Sequence, residues 1–292
     1  MIIAIASGKG GTGKTTLATN LAMSLARQNR AVQLLDCDVE EPNCHLFLQP
    51  EIETTETVGL PVPRVDEQKC TGCGQCARIC QFSAIVCVKK KVLVFPDLCH
   101  GCGGCLRVCP EGAITETDRQ IGVVETGRAD GIEFVHGRLR IGEAMSPPLI
   151  KAVKSRISGR GTSIIDAPPG TSCPVIEAVK KSDVCLLVTE PTPFGLNDLE
   201  LAVGMVRSLS IPHGVIINRA DVGDRRVVDY CRGEGIAVLM EIPDDRRIAQ
   251  GYSRGQLIVD VAPEYEQKFQ QLTGKIEALA TAEEVFGEEV PT

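Results

Sequence analysis

The octet Gly8-Lys9-Gly10-Gly11-Thr12-Gly13-Lys14-Thr15 matches the pattern G-x-x-x-x-G-K-[S/T] at every fixed position. Glycines at these places let backbone N–H groups converge on phosphate oxygens with no Cβ in the way. Ahead of the octet lies Ile2–Ala6, a short apolar run of the kind that forms a buried parallel strand. Behind it, Leu17, Leu21, Met23, Leu25 and Ala26 continue as an amphipathic helix from near Lys14 to about residue 29. The helix N-terminus adds positive potential where a phosphate would sit. Strand, glycine loop and helix together predict a nucleotide-phosphate site. Gly8, Gly10, Gly11, Thr12, Gly13, Lys14, Thr15 and Thr16 would contact the nucleotide. Lys14 would reach the β and γ phosphates, and the Thr15 hydroxyl would hold Mg²⁺.

Further apolar runs end in acids. Residues 31–36 (A-V-Q-L-L-D) run into Asp36 and Asp38, and Thr162–Asp166 carries Asp166 at its tip. Carboxylates at strand tips beside a phosphate loop are costly unless they face Mg²⁺ or water. Helix capping ahead of residues 43–48 is the competing role, credible for one of Asp36 and Asp38 but not both. Residues 183–190, His213–Asn218 and 237–242 are further buried strands, and residues 147–157, 196–208, 246–254 and Glu264–Ala282 look helical. Short alternating stretches within 122–142 suggest a hairpin or strand bend. Residues 50–63, rich in Glu, Thr and Pro, read as a linker. Strands alternating with helices predict a doubly wound, mainly parallel α/β domain formed by residues 1–61 and 120–292.

Between those two segments stand two cysteine runs. Cys70, Cys73, Cys76 and Cys80 form the first, and Cys99, Cys102, Cys105 and Cys109, followed by Pro110, the second. Both have the spacing C-x2-C-x2-C-x3-C, which belongs to two-cluster ferredoxins, where the fourth cysteine of each run ligates the other cluster. Cys70, Cys73, Cys76 and Cys109 would hold one [4Fe–4S] cluster, and Cys99, Cys102, Cys105 and Cys80 the other. Zinc usually takes two separated C-x2-C pairs and has no use for the third close cysteine. Disulfides need an oxidising compartment, and nothing upstream looks secretory. An apolar segment follows each run, at 83–86 and 112–115, so the cassette over 62–119 is an internal repeat. Lys89-Lys90-Lys91 lies in the hairpin between its halves and reads as a solvated turn, with docking of an acidic partner as the alternative.

The motifs K-G-G-T-G-K-T (9–15), D-C-D-V-E-E-P-N (36–43) and D-A-P-P-G-T (166–171) resemble the deviant phosphate loop and switches of the MinD/ParA/Mrp ATPases, a class that includes the nitrogenase iron protein. The resemblance implies an ATPase that forms a nucleotide-sandwich dimer, with itself or with a paralogue. Lys9 would then reach the partner subunit's phosphates as an arginine finger does. Asp38 would orient the attacking water, Asp36 would hold waters around Mg²⁺, and Asp166 would hold Mg²⁺ through water. The Gly170 amide would sense the γ-phosphate. Asn218 would read the adenine edge, and Pro243 with Asp244 would pack on it. Cys173, seven residues past Asp166, sits where the iron protein carries a bridging cluster ligand. With no clear second ligand it reads as a buried or interface thiol. Together with the cassette, the chain looks like superfamily members that carry an inserted two-cluster ferredoxin domain.

Composition narrows the function. With 43% hydrophobic residues a full core can form, while 3% aromatics and no Trp leave little for stacking nucleic-acid bases. A net charge of −7 also argues against nucleic acid. From residue 263 onward seven Glu face two Lys, the wrong sign for a basic amphipathic membrane anchor. The first residues show no secretory leader, so a cytoplasmic location is expected. Three functions remain open: an ATPase coupled to electron transfer with a redox partner, an iron–sulfur carrier for client apoproteins, and a positioning ATPase with structural clusters.

Overall fold

A computed structural model of the chain describes residues 1–282; residues 283–292, part of the acidic tail counted above, lie outside it. Its strands are β1 Ile2–Ala6, β2 Val32–Asp36, β3 Glu51–Val65, β4 Ile85–Val88, β5 Lys91–Val94, β6 Ile114–Ala129, β7 Ile132–Leu139, β8 Thr162–Asp166, β9 Val184–Thr189, β10 His213–Asn218 and β11 Val238–Ile242. Its helices are α1 Lys14–Arg27, α2 Cys44–Leu48, α3 Gln75–Ile79, α4 Gly104–Arg107, α5 Pro147–Lys154, α6 Cys173–Val179, α7 Pro193–Ser208, α8 Arg226–Gly233, α9 Arg246–Tyr252, α10 Ile258–Val261 and α11 Glu264–Ala282. Nine strands make one sheet in the order β11-β10-β9-β1-β8-β2-β7-β6-β3. From β11 to β7 the neighbours are parallel, so the expected mainly parallel α/β sheet is present. Among the described residues no helix is long and apolar enough to cross a membrane.

The chain divides into two compact units. The first comprises Met1–Thr55, Val124–Arg138 and the chain from Ile150 onward. Its central strands β2, β8 and β9 are buried at every residue, which is why none of them shows the apolar–polar alternation of a half-exposed strand. Leu17, Leu21 and Leu25, one helical turn apart on α1, share a core with Phe269, Leu272 and Ile276 of α11. Each is at most 1% exposed, so each burial stabilises the fold by about 1.5–3 kcal/mol.

The second unit comprises Glu56–Val123 and Leu139–Leu149. It holds the antiparallel β4–β5 hairpin, with α3 and α4 carrying the middle of each cysteine run. Cysteines share its interior with aliphatic side chains. Cys99 packs with Val62 and Ala84, and Cys76 with Ile85 and Ile114.

The linker expected over 50–63 is instead β3. It is the outermost strand of the sheet, and its first seven residues are exposed on both faces. It therefore shows little apolar alternation, and an edge position tolerates Pro61 and Pro63. The hairpin expected within 122–142 is β6 and β7, joined by Asp130-Gly131 with φ of 47° and 81°.

Candidate functional site

Register brings the two acids together: Asp36 lies opposite Asp166 where β2 pairs with β8. Both are fully buried. Asp36 accepts N–H bonds from Asp38 (3.1 Å), Asn43 (3.0 Å) and Cys44 (3.0 Å), and so caps α2. Asp166 Oδ2 accepts the Thr15 hydroxyl at 2.6 Å and the Cys44 thiol at 3.4 Å. Among the described residues its Oδ1 has no hydrogen-bond partner. Burial and the neighbouring Asp166 push the Asp36 carboxyl above the usual carboxylate range. Burial likewise pushes Asp166 up, against the pull of the Thr15 hydroxyl and Lys14. A buried, unpartnered carboxylate oxygen beside a threonine hydroxyl fits a hydrated Mg²⁺, whose charge would reverse both shifts. Cys44 escaped the sequence reading, yet one ligand atom each from Asp36, Cys44 and Asp166 lie within 4.8 Å of one another.

The raised carboxyls carry a stability prediction. An acid whose folded pKa exceeds its unfolded one binds more protons when folded, so stability falls as pH rises through that interval. Asp166→Asn keeps an acceptor for Thr15 and removes one charge of the pair. It should stabilise the nucleotide-free protein by roughly 1–2 kcal/mol, a few degrees in Tm. Differential scanning fluorimetry should show a larger gain at pH 8 than at pH 5, together with loss of the stabilisation by Mg²⁺–ATP. An unchanged Tm at both pH values would remove the electrostatic argument.

A cavity of about 430 Å³ opens beside these acids. Gly10, Gly11, Gly13, Lys14, Thr15, Thr16, Asp38, Asn218, Pro243 and Asp244 all line it. Burial and Asp166 raise the Asp38 carboxyl to about 6, with Lys14 opposing. Gly8, Lys9, Thr12, Asp36, Asp166 and Gly170 lie off its wall. Gly8 is needed for packing, since a Cβ there would stand 2.2 Å from the Asp198 carbonyl oxygen. Asn218 donates to the Thr12 carbonyl at 2.9 Å and accepts from the Arg219 amide at 3.0 Å, leaving one N–H for a ligand. The Gly170 amide is engaged, donating to the Ser7 carbonyl at 2.9 Å, so sensing a phosphate would require that bond to break. Lys9 pairs with Glu190 at 3.4 Å, and Glu190 also meets Arg219 at 3.5 Å. Glu190 follows β9 as an acid beside the loop, the same signal that marked Asp36 and Asp166, and it was missed. Ile248, Tyr252 and Ile258 give the cavity an apolar side that sequence spacing did not reveal.

The second unit contains two sulfur-lined cavities. Cys70, Cys73, Cys76 and Cys109 line one, and Cys80, Cys99, Cys102 and Cys105 line the other. Gly72 and Gly74 in the first run, and Gly101 and Gly103 in the second, all have φ between 64° and 74°. This left-handed conformation, open to glycine, bends each run around its cavity. Among the described residues no three of these sulfurs come within 4.8 Å of one another. Thiolates on one zinc ion, with Zn–S of about 2.3 Å, would be roughly 4 Å apart. Four thiols around each cavity match the ligand count of a [4Fe–4S] cubane. Backbone amides already point at sulfur, with Gly101 donating to Cys99 (3.4 Å) and Ala113 to Cys109 (3.3 Å). Burial raises the Cys80 thiol, but the amides of Phe82, Ala84, Ile85 and Ser83 outweigh it and bring it below the ordinary value. Cys173 is exposed rather than buried.

A Pyrococcus horikoshii septum site-determining protein MinD, solved with Mg-ADP, shares the fold at a TM-score of 0.60 and 21% identity over 96% of both chains. An uncharacterized protein of Methanocaldococcus jannaschii is 30% identical over 96% of each chain. An iron-sulfur cluster carrier protein of Aquifex aeolicus is 26% identical over 91% of this chain, which spans 63% of that protein. Residues 3–258 match the model of the CobQ/CobB/MinD/ParA nucleotide binding domain, and with its phosphate loop and paired strand-tip acids the chain belongs to that family.

Proposed function

We propose that this chain is a Mg²⁺-dependent ATPase carrying two [4Fe–4S] clusters and coupling a nucleotide switch to electron transfer. One observation carries the reading. A single chain has a phosphate-loop cavity backed by the Thr15–Asp166 pair and two cavities each lined by four cysteines. In this reading residues 1–61 and 120–292 form the ATPase, and 62–119 an inserted ferredoxin-like domain. Clusters so held would supply a one-electron relay.

The chain's own groups then divide the work. The loop amides and Lys14 bind phosphate, while Thr15, Asp36 and Asp166 hold the hydrated metal ion. Asp38 orients water, and Lys9 leaves Glu190 to act across a dimer. Asn218, Pro243 and Asp244 flank the base. A ligand shifts an equilibrium only by its differential affinity for two states. Coupling of this kind is reciprocal, so the oxidation state of the clusters should change nucleotide affinity. The partner is a redox protein. The relatives named iron-sulfur cluster carriers favour a second reading, delivery of clusters to apoproteins. Four cysteines of the chain's own at each cavity suit a resident relay better.

Anaerobic purification tests this. About eight irons per chain are expected, with EPR signals of reduced [4Fe–4S] clusters after dithionite and a shifted ATP affinity on reduction. Preparations with no iron, or only zinc, would end the reading. Rapid transfer of iron to an apo-ferredoxin would favour the carrier.

A further inference from the structure

The geometry points to a docking site for an acidic electron-carrier protein at the β4–β5 hairpin, beside the cavity of Cys70, Cys73, Cys76 and Cys109. This rests on the two-cluster reading above. Between residues 69 and 107 stand six basic side chains (Lys69, Arg78, Lys89, Lys90, Lys91 and Arg107) and one acid, Asp97; Lys69 pairs with Asp66, just outside this stretch, at 3.7 Å. All six are exposed. The single acid is already occupied, 3.4 Å from Arg119 and 3.6 Å from Arg140. Among the described residues no ion pair involves Lys89, Lys90 or Lys91, so their charge is turned outward.

The basic tip is pressed against the cysteine run. A Cβ on Gly72 would meet the Lys90 carbonyl oxygen at 2.3 Å. Cys87 donates to the Gly72 carbonyl at 3.5 Å, and Arg78 to the Cys73 carbonyl at 3.5 Å. Cys73 itself is exposed. The register pairs Val88 with Lys91 and Val86 with Leu93, which puts these four on one face of the hairpin. The other face carries Ile85, Cys87, Val92 and Val94, and Val92 lines the sulfur cavity. The outer face stays open, with Val88 53% and Leu93 40% exposed. An apolar centre beside a charged rim is the anatomy of a transient protein interface, and the charge steers the encounter.

The turn gives an independent sign. Lys89 and Lys90 both adopt left-handed backbone, with φ of 48° and 69°. A two-residue hairpin turn of this kind favours Asn-Gly or Asp-Gly, and the chain's own β6–β7 turn uses Asp130-Gly131. Two lysines therefore stand where folding alone would choose other residues. An electron carrier of net negative charge fits this patch better than a nucleic acid, because the basic tip adjoins an exposed cysteine of the sulfur cavity. One electron would pass from the reduced carrier to an oxidised cluster, [4Fe–4S]²⁺ becoming [4Fe–4S]⁺, with no proton or bond changed.

The test uses the iron-loaded full chain and an acidic plant-type [2Fe–2S] ferredoxin as probe. Affinity would be measured anaerobically across salt concentrations, and electron transfer by stopped flow. The double variant Lys89→Asn, Lys90→Gly installs preferred turn residues, so it should melt no lower than the parent and keep its iron. It should nonetheless weaken ferredoxin binding about tenfold at low salt and flatten the salt dependence. Lys89→Glu with Lys90→Glu and Lys91→Glu should weaken it further. Reduction by a small zwitterionic viologen should stay unchanged in both. Iron-loaded variants that bind ferredoxin as the parent does would overturn the docking site while leaving the cluster reading intact. So would substitutions whose only effect is on self-association or on single-stranded DNA binding. Absence of iron from the parent chain would instead bring down the cluster reading, and this inference with it.

Discussion

Lys9→Ala should leave ATP binding within about threefold of the parent and lower turnover by about 10³, the smaller end of what removing a charged finger costs. The contrast with Lys14→Ala is the point. Lys14 is 7% exposed and lines the cavity, so its loss should abolish binding itself. The Lys9 side chain is 33% exposed, off the cavity wall, and paired with Glu190 at 3.4 Å. On the proposed reading Lys9 leaves that pair to reach phosphate bound by another subunit. Both members are half-buried, but Glu190 also meets Arg219 at 3.5 Å, so its carboxylate keeps a partner when Lys9 leaves. Calorimetry with ATP and a phosphate-release assay check both halves. Lys9→Ala with full turnover would remove the trans role. Mixing Lys9→Ala with Lys14→Ala chains should restore part of the turnover if the lysine acts across a dimer.

Paired cysteine substitutions should separate crossed from uncrossed ligation. The cavity linings place Cys80 with Cys99, Cys102 and Cys105, and Cys109 with Cys70, Cys73 and Cys76. Cys80→Ser combined with Cys102→Ser therefore damages one site twice, and about four irons per chain should remain. Cys80→Ser combined with Cys73→Ser damages both sites and should leave almost none. If each run held its own cluster, the two double variants would exchange these results. Iron analysis with EPR of the dithionite-reduced protein decides between them. A backbone cradle that survives in both cases makes the comparison fair, since Gly72, Gly74, Gly101 and Gly103 supply the turns.

Much of this was legible in the sequence because it rests on local chemistry. The octet 8–15, the acids at strand tips and the cysteine spacings each state their geometry in a few residues. Burial on both faces made β9 readable as a nearly unbroken apolar run. The strand β3 was not legible for the opposite reason. A strand with little burial leaves little periodic trace, and its prolines suggested a break. The Asp130-Gly131 dipeptide could have located the β6–β7 turn, being the favoured composition for a two-residue hairpin. Cys44 stands eight residues from Asp36, and no spacing rule links the two. Only the turn of the chain into α2 brings its thiol to the acids. The engagement of Asn218 with Thr12 is likewise a contact across 206 positions that no local pattern encodes.

The cysteines in the interior of the second unit have a consequence for how long the chain lasts. Cys76 and Cys99 stand among the side chains that wall its small core, beside Val62, Ala84, Ile85 and Ile114. If iron occupies those thiols, the metal is part of the scaffolding, and oxygen becomes a denaturant acting on this unit at temperatures where the first unit stays intact. Working life would then be counted in exposure to air and in iron supply rather than in degrees.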